Sequence, residues 1–259
     1  MVTFSVLGPV QVRGAFASYS PRGPKVRAVL GVLLLSGNQV VDVDTLATEL
    51  WDGSASAGMT TTVRTHVYNL RKMLRNESGQ PDLADRLVTR SSGYLLELHR
   101  HELDAEVFGR LVSRGRTLLR AGRPEDASAT LGDALDLWTG PAFSDVVPGR
   151  VLERHLVSLD ELRLVALEAR IEADMLLGRH RDLVPELRGL VAANPLNEWL
   201  RARLVECLRR CGRRDDALAA IRDLRAALGE QLGLALSAEL ERLQQEILTD
   251  ERRPGRRLA

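Results

Sequence analysis

The chain has 259 residues, of which 44% are hydrophobic and 27% are charged, and its formal net charge is +1. This length predicts one or two domains, and two fit a change in composition near residue 100 better. No run approaches the ~18 consecutive apolar residues of a membrane span, and the N-terminus lacks a signal-peptide pattern, so we expect a cytoplasmic protein. The two cysteines, Cys207 and Cys211, lie four residues apart in a helical pattern, which favours buried thiols over a disulfide or a metal site.

Three elements are predicted at the start of the chain. Phe4 to Val12 alternates between apolar and polar residues in the manner of a strand. Lys25 to Ser36 and Val43 to Trp51 both carry the apolar spacing of helices.

The segment from Met59 to Arg75 is predicted to be an amphipathic helix. Val63, Val67, Leu70 and Leu74 recur at a spacing that lays one apolar stripe along a helix. A period of 3.6 residues places a polar set opposite this stripe or along its edge: Thr61, Arg64, Thr65, Tyr68, Asn69, Arg71 and Lys72. Taken alone, the pattern is equally compatible with an ordinary helix whose basic face is solvated.

The same segment has features of an anion-binding surface. Thr60, Thr61 and Thr62 offer an N-cap, which would leave backbone N–H groups aimed at a phosphate. Four basic residues face no carboxylate within the segment: Arg64, Arg71, Lys72 and Arg75. Because a local basic patch is sufficient for counterion release, the near-zero net charge of the whole chain does not exclude DNA binding.

A small hairpin is predicted after this helix. Beyond a polar loop from Asn76 to Asp85, apolar residues alternate from Leu87 to Leu98 on both sides of a Ser91-Ser92-Gly93 turn. Four residues at the tip can donate hydrogen bonds to phosphate oxygens: Thr89, Arg90, Ser91 and Ser92. A strand, three helices and a hairpin in this order predict a winged helix-turn-helix, which favours a DNA-binding interpretation of the helix.

This part of the chain resembles the OmpR-type winged-helix domain. Five segments carry the resemblance: FSVLGPVQV, PKVRAVLGVLLLSGNQVV, LATELW, TTVRTHVYNLRKML and TRSSGYLLEL. It implies that Tyr68 and Asn69 face bases or the nearby backbone, and that His66, Arg71 and Arg90 contact phosphates. Asn69 is the best candidate base reader, since an Asn amide can pair bidentately with adenine.

From Glu102 onward the sequence changes to long helical patterns with almost no strand signal. A Gly-Arg motif with an acidic residue three or four positions further on recurs at Gly122, Gly178 and Gly212, and the last two copies start 34 residues apart. That spacing is the period of tetratricopeptide repeats. We expect the glycine to end one helix and the acidic residue to cap the next, with a further junction at Asn194-Pro195-Leu196.

The helical part resembles the bacterial transcriptional activation domain. The resemblance rests on LDAEVF, on ALDLWTGPAFSD, on the long stretch from LGRHRDL to GEQLG, and on SAELERLQQEIL. An OmpR-type domain followed directly by this domain is the arrangement of the SARP family, the Streptomyces antibiotic regulatory proteins. We therefore expect a mainly α protein with a small β component: a winged helix-turn-helix in residues 1–98, an all-α tetratricopeptide-like domain in residues 103–250, and a disordered basic tail in residues 251–259.

The resemblance also implies a function. It describes a pathway-specific transcriptional activator, typically of a secondary-metabolite gene cluster, that binds direct repeats in double-stranded promoter DNA and recruits RNA polymerase holoenzyme. Direct repeats imply a head-to-tail dimer on DNA, with its two copies about one helical turn (~10 base pairs) apart. Such a protein would be associated with the nucleoid.

The resemblance further places the loop before the basic helix near the polymerase. The candidate contact residues in this loop are small: Ser54, Ala55, Ser56, Ala57 and Gly58. The alternative is that the loop is a plain connector, with Trp51 anchored in the core.

No catalytic site and no cofactor are predicted. The segment from Arg22 to Lys25 lacks the spacing of a phosphate-binding loop, and the five histidines have no metal-ligand or triad partners at recognisable spacing. His99, His101 and Glu102 form the only cluster, which fits a solvated linker. We therefore expect no enzyme. A repressor that uses the same DNA-binding face and a protein-interaction adaptor remain as alternatives.

Overall fold

A computed structural model describes residues 3–14, 18–51, 58–77 and 80–250. The chain divides into two compact units, residues 1–170 and residues 171–259. The first unit contains, in chain order, β1 (Thr3–Ser5), β2 (Gln11–Arg13), β3 (Ser18–Tyr19), α1 (Pro24–Leu35), β4 (Val41–Asp42), α2 (Val43–Trp51), α3 (Met59–Glu77), a 3₁₀ helix (Pro81–Ala84), β5 (Leu87–Thr89), β6 (Gly93–Leu96), α4 (Asp104–Arg120) and α5 (Pro124–Leu135). Helix α6 (Arg150–Leu176) begins in it, and the second unit continues with α7 (His180–Ala193), α8 (Glu198–Arg210), α9 (Arg214–Leu232) and α10 (Ala238–Asp250).

The N-terminal segment is a small antiparallel sheet in the order β1-β2-β3, with Phe4 opposite Val12. The expectation of one continuous strand from Phe4 to Val12 is therefore wrong. The Gly8-Pro9 pair interrupts the alternation and turns the chain back on itself, as such dipeptides commonly do.

The three helices and the hairpin of the winged helix-turn-helix are confirmed. Helices α1 and α2 begin within one residue of the expected positions, and β4, β6 and β5 form an antiparallel sheet in that order. Gly93 allows this close pairing, because a Cβ atom there would lie 1.9 Å from the carbonyl oxygen of Val41. The segment before the hairpin is less polar than expected, since Leu83 and Ala84 in the 3₁₀ helix are buried.

Helices α4 and α5 form a hairpin in the first unit, and α7, α8 and α9 pack consecutively in the second, as expected for helical repeats. Gly122, Gly178 and Gly212 each follow a helix with φ between 69° and 74°, a left-handed conformation that glycine adopts without strain. This confirms the glycines as helix terminators. Between α7 and α8 the expected junction is also present, where Asn197 caps α8 by accepting the N–H of Leu200.

The expected capping by the acidic residues of the repeated motif is wrong. The residues preceding α5, α7 and α9 are Arg123, Arg179 and Arg213, and their side chains make no capping bond. Arg123 and Arg213 instead donate to carboxylates in the following turn, Asp126 at 2.8 Å and Asp216 at 2.7 Å. The acidic residues thus lie within the first helical turn, where they favour the positive end of the helix dipole.

Two half-buried carboxylates connect the winged helix to the segment that follows it. The N–H groups of Val6 and Leu7 donate to Asp104 at 2.9 and 3.1 Å, and the N–H of Val10 donates to Asp145 at 2.8 Å. Each bond satisfies an N–H of the N-terminal segment that its own small sheet leaves unpaired. Helix α1 packs closely on the same region, because a Cβ atom on Gly31 would lie 2.6 Å from the ring of Phe143.

A third carboxylate, that of Glu49 in α2, caps helix α6. It accepts the N–H groups of Gly149, Val151 and Leu152 at 2.6, 2.9 and 3.1 Å. These N–H groups lie at the start of a helix and have no acceptor within it, so the carboxylate satisfies them. Glu49 therefore holds the helix-turn-helix against the α6 N-terminus.

Candidate nucleic-acid interface

Helix α3 has one buried face and one exposed face. The buried face is the predicted stripe of Val63, Val67, Leu70 and Leu74, whose side chains are almost fully removed from solvent. Burial of this stripe fixes the rotation of the helix about its axis. The polar residues opposite it are consequently directed to solvent.

The exposed face carries most of the residues expected to bind DNA. Tyr68 is the clearest case, because 65% of this large aromatic side chain is exposed. Around it lie further exposed residues: Thr61, Arg64, Thr65, Asn69 and Lys72. Within the described part of the chain, Arg64 and Lys72 have no hydrogen-bond or ion-pair partner, so their charges are available to a ligand. A face of this composition has the shape and the donors to enter a major groove.

The start of α3 differs from the expected N-cap. The helix begins at Met59, so Thr60, Thr61 and Thr62 lie in its first turn. The N–H and the hydroxyl of Thr62 both bond to the carbonyl oxygen of Gly58 at 3.1 Å. The threonine hydroxyl therefore reaches back along the helix instead of capping it.

His66 is turned away from the exposed face. Both of its ring nitrogens are buried and lack a hydrogen-bond partner among the described residues. Burial lowers the pKa of His66 below its usual value, and the nearby positive charge of Lys25 lowers it further, so both favour the neutral ring. The phosphate contact implied by the family resemblance is not available to this placement of the side chain.

Arg71 points along the edge of α3 towards the hairpin. Its Nε and Nη2 atoms donate to the carbonyl oxygen of Leu87 at 3.0 and 2.6 Å, and Nη2 also donates to the hydroxyl of Thr89 at 2.7 Å. The guanidinium carbon lies 5.8 Å from the centre of the Tyr94 ring. Arg71 is thus engaged by the β5–β6 hairpin, and it does not share the free exposure of Arg64 and Lys72.

The turn of the hairpin forms a wing tip with Arg90, Ser91 and Ser92 exposed. The N–H of Arg90 closes the turn by donating to the carbonyl oxygen of Gly93 at 2.9 Å. The Arg90 side chain has no partner among the described residues. Thr89 differs from the other tip residues, because its hydroxyl accepts from Arg71.

The expected solvated linker at His99, His101 and Glu102 is wrong for Glu102. This residue is only 5% exposed and forms a two-armed ion pair with Arg86, whose Nε also donates to the carbonyl oxygen of Glu97 at 2.7 Å. The N–H of His99 donates to the same carboxylate at 2.8 Å. Helical and strand periodicity gave no sign of this pair, because Arg86 precedes β5 and Glu102 follows β6, 16 residues further along the chain.

Most of the loop expected to contact the polymerase lies outside the described residues. This applies to Ser54, Ala55, Ser56 and Ala57. The loop residue that is described, Gly58, is exposed. At the other end of the loop, Trp51 is half-buried and lies 4.4 Å below the ammonium group of Lys25. The predicted basic tail, residues 251–259, also lies outside the described residues.

We also searched the described ranges for metal-binding clusters, reactive cysteines and membrane-spanning helices. These ranges contain no group of three or more His, Cys, Asp or Glu side chains that could hold a metal ion. Cys207 is buried, and burial raises the pKa of its thiol to about 12, while Cys211 is half-buried and also free. No described helix has the length and apolar character needed to cross a membrane.

A winged helix-turn-helix with a basic exposed helix, followed by helical repeats, defines a DNA-binding transcription regulator. Two family matches agree: "Transcriptional regulatory protein, C terminal" over residues 21–96 and "Bacterial transcriptional activator domain" over residues 103–248. The chain belongs to the SARP family of transcriptional regulators.

Individual relatives match along almost the whole chain. The regulatory protein DnrI of Streptomyces peucetius is 37% identical over 94% of this chain and 91% of its own length. The transcriptional regulator RedD of Streptomyces coelicolor is 34% identical over 96% of this chain and 71% of its own. A solved structure of Mycobacterium tuberculosis EmbR in complex with a low affinity phosphopeptide is 31% identical with a TM-score of 0.87, and the match covers 96% of this chain but 65% of that one.

Proposed function

We propose that the chain is a sequence-specific transcriptional activator, pathway-specific for a secondary-metabolite biosynthetic gene cluster, that binds direct repeats in a promoter and recruits RNA polymerase holoenzyme. The observation that carries the proposal is the exposed face of α3, which presents Tyr68 and Asn69. Two cations on this face, Arg64 and Lys72, have no partner among the described residues. The cations supply attraction to any duplex, whereas the amide and the aromatic ring supply preference for a sequence.

Within this proposal the residues divide by role. Asn69 reads an adenine, Thr65 offers its methyl group to a thymine, and Tyr68 contacts a base edge or the adjoining backbone. Phosphates are bound from three places: the first turn of α3 at Thr61 and Thr62, the side of α3, and the wing tip at Arg90 and Ser91. His66 and Arg71 are left out of the direct contacts, because their polar atoms are buried or engaged.

Binding to direct repeats places two copies head to tail on one face of the duplex. A spacing of about one helical turn (~10 base pairs) brings both α3 helices into successive major grooves on that face. Such a contact is heterologous, with a different surface from each copy. The pair needs no stable dimer before it meets DNA.

The first test is the salt dependence of binding to genomic DNA fragments. Three cations per chain, Arg64, Lys72 and Arg90, predict that the logarithm of the association constant falls with the logarithm of salt concentration with a slope of about −2.7 per chain. Lys72→Gln should reduce the magnitude of the slope by about 0.9. Binding that does not respond to salt would point to a protein-interaction adaptor instead.

Transcription with purified polymerase holoenzyme separates an activator from a repressor that uses the same face. We expect stimulation from the bound promoter, and inhibition would assign the repressor. Replacing residues 54–58 with another flexible sequence tests the polymerase contact. The expected result is lower transcription at unchanged DNA affinity, and unchanged transcription would leave the loop as a connector.

A further inference from the structure

We propose that Arg71 is a positioning residue that holds the wing against helix α3, and that it acts on DNA through Arg90 and Ser91 instead of binding a phosphate itself. This inference rests on the proposed function, because it assigns a role within the same DNA-binding surface. It also reverses the role that the family resemblance implies for Arg71.

Within the described ranges, the side-chain hydrogen bonds of Arg71 lie on the hairpin. The Nε and Nη2 atoms of Arg71 donate hydrogen bonds to the carbonyl oxygen of Leu87 at 3.0 and 2.6 Å. Nη2 also donates to the hydroxyl of Thr89 at 2.7 Å. The face of the Tyr94 ring lies 5.8 Å from the guanidinium carbon. Leu87 and Thr89 are the two ends of β5, and Tyr94 pairs with Thr89 across the hairpin. The guanidinium therefore contacts both ends of β5, the strand that leads into the wing tip.

Among the residues that the structure describes, strand β5 has a neighbouring strand on one side only. On its paired side, β5 forms only three residue pairs with β6: Leu87 with Leu96, Val88 with Leu95, and Thr89 with Tyr94. At the other edge, β6 is held to β4 by two pairs, so β5 is the outer strand of the sheet and its carbonyl at Leu87 is held by Arg71.

The contacts of Arg71 with β5 explain how this residue would affect DNA binding. Arg90, the exposed cation of the wing tip, directly follows Thr89 in the chain. Displacement of β5 would move Arg90 and Ser91 relative to the exposed face of α3. Both surfaces must meet the same duplex, so a change of about 1 Å between them costs contacts even when every contacting residue is intact.

The substitution Arg71→Lys distinguishes a positioning role of Arg71 from a direct phosphate contact. A lysine keeps the positive charge but has a single ammonium group in place of a planar fork of donors, so it cannot reproduce the paired bonds to Leu87 and Thr89. A phosphate contact would tolerate Arg71→Lys, because lysine binds phosphate as a point charge. A positioning residue would not tolerate this substitution, because the paired bonds to the hairpin would be lost.

The first arm of the test needs no DNA. Hydrogen exchange is measured on the full chain, comparing wild type, Arg71→Lys and the neighbouring control Lys72→Gln. We expect roughly tenfold faster exchange of amides in residues 87–96 for Arg71→Lys alone, with α1 and α2 unchanged. Wild-type exchange throughout, or a uniform increase that includes α1 and α2, would overturn the proposal.

The second arm is a double-mutant cycle on a duplex of random sequence, combining Arg71→Lys with Arg90→Gln. If Arg71 acts through the wing, Arg71→Lys should weaken binding roughly tenfold in the wild-type background and less than about twofold when Arg90 is already replaced. Lys72→Gln should stay additive with Arg90→Gln. Additive effects of Arg71→Lys, or none at all, would contradict the proposal. If the wild type shows no salt-dependent binding, the proposed function fails, while the exchange arm still shows whether Arg71 holds the wing.

Discussion

Glu49 is only 5% exposed, and three backbone N–H groups at the start of α6 surround its carboxylate. A buried charge is tolerated only where hydrogen bonds replace the lost water. Its neighbour Trp51 ends the same helix and leads into the loop before α3. Through this carboxylate, the start of α6 holds α2 in place, although α6 lies outside the winged helix.

Replacing Glu49 by Gln should lower the free energy of unfolding by about 2 kcal/mol, because an amide NH₂ would face the N–H donors and the charge-assisted bonds would be lost. The matched control is Glu153→Gln in the first turn of α6, where the side chain is exposed. That change removes only a favourable interaction with the helix dipole and should cost less than about 1 kcal/mol. Urea unfolding of both variants measures the difference, and equal losses would show that Glu49 has no special role.

Glu102 makes the stability of the first unit depend on acid. Burial alone would raise the pKa of its carboxyl, but hydrogen bonds from Arg86 and from the His99 N–H, with the charge of Arg86, outweigh burial and lower the pKa below 4.5. A folded-state pKa below the unfolded value means that the stabilisation is present above pH 4.5 and is lost as the pH falls through the folded-state value.

The Glu102→Gln variant should therefore lose less unfolding free energy than wild type between about pH 6 and about pH 3. Asp104 contributes with the opposite sign, because burial raises its pKa, but this contribution is common to both proteins. The exposed residue Glu97 provides the control, and Glu97→Gln should follow the wild-type curve. If the unfolding free energies of wild type and Glu102→Gln fell in parallel with pH, Glu102 would not be the source of the acid sensitivity.

The sequence predicted which residues face solvent better than it predicted what they touch. Helical periodicity places Tyr68 and Asn69 opposite the buried stripe, and the structure agrees. It also places Arg71 at the edge of the same face, but the position of β5 decides that its guanidinium is engaged. His66 is similar, because burial of its ring nitrogens depends on residues distant in the chain.

At the scale of elements, the long periodic helices were predicted well and the short N-terminal strands were not. Helices α1 and α3 each bury apolar residues over several turns, so their pattern is repeated often enough to predict a helix. Strands β1 and β2 have three residues each, and one turn between them was sufficient to make two strands resemble one. The acidic residues of the repeated motif were assigned to the wrong position because capping and first-turn placement differ by only a few residues.

Helix α1 provides a test of packing between elements. A Cβ atom on Gly31 would lie 2.6 Å from Phe143, so Gly31→Ala should destabilise the chain by about 1–3 kcal/mol through overpacking. The matched substitution Gly132→Ala in α5 meets open space and should stabilise by about 0.5–1 kcal/mol, since alanine favours the helix. Thermal unfolding should move the two midpoints in opposite directions. A stabilised Gly31→Ala variant would show that α1 does not pack as described.

At the scale of the whole molecule, composition and contacts divide the chain at different places. Composition changes near Glu102, whereas the contact-based division falls between Arg170 and Ile171. The difference arises because Asp104 and Asp145 bind backbone N–H groups of the first dozen residues. Sequence spacing carries no information on such bonds, since nearly a hundred residues or more separate their partners.

The central claim is that the exposed face of α3 reads a promoter sequence. Genomic fragments that bind the wild-type chain should be footprinted with the wild type, with Asn69→Ala and with the control Asn76→Ala, which makes the same change at an exposed position near the end of the same helix. We predict two protected direct repeats about one helical turn (~10 base pairs) apart, lost with Asn69→Ala and retained with Asn76→Ala. An unchanged footprint with Asn69→Ala, or the absence of any sequence-specific protection, would contradict the account.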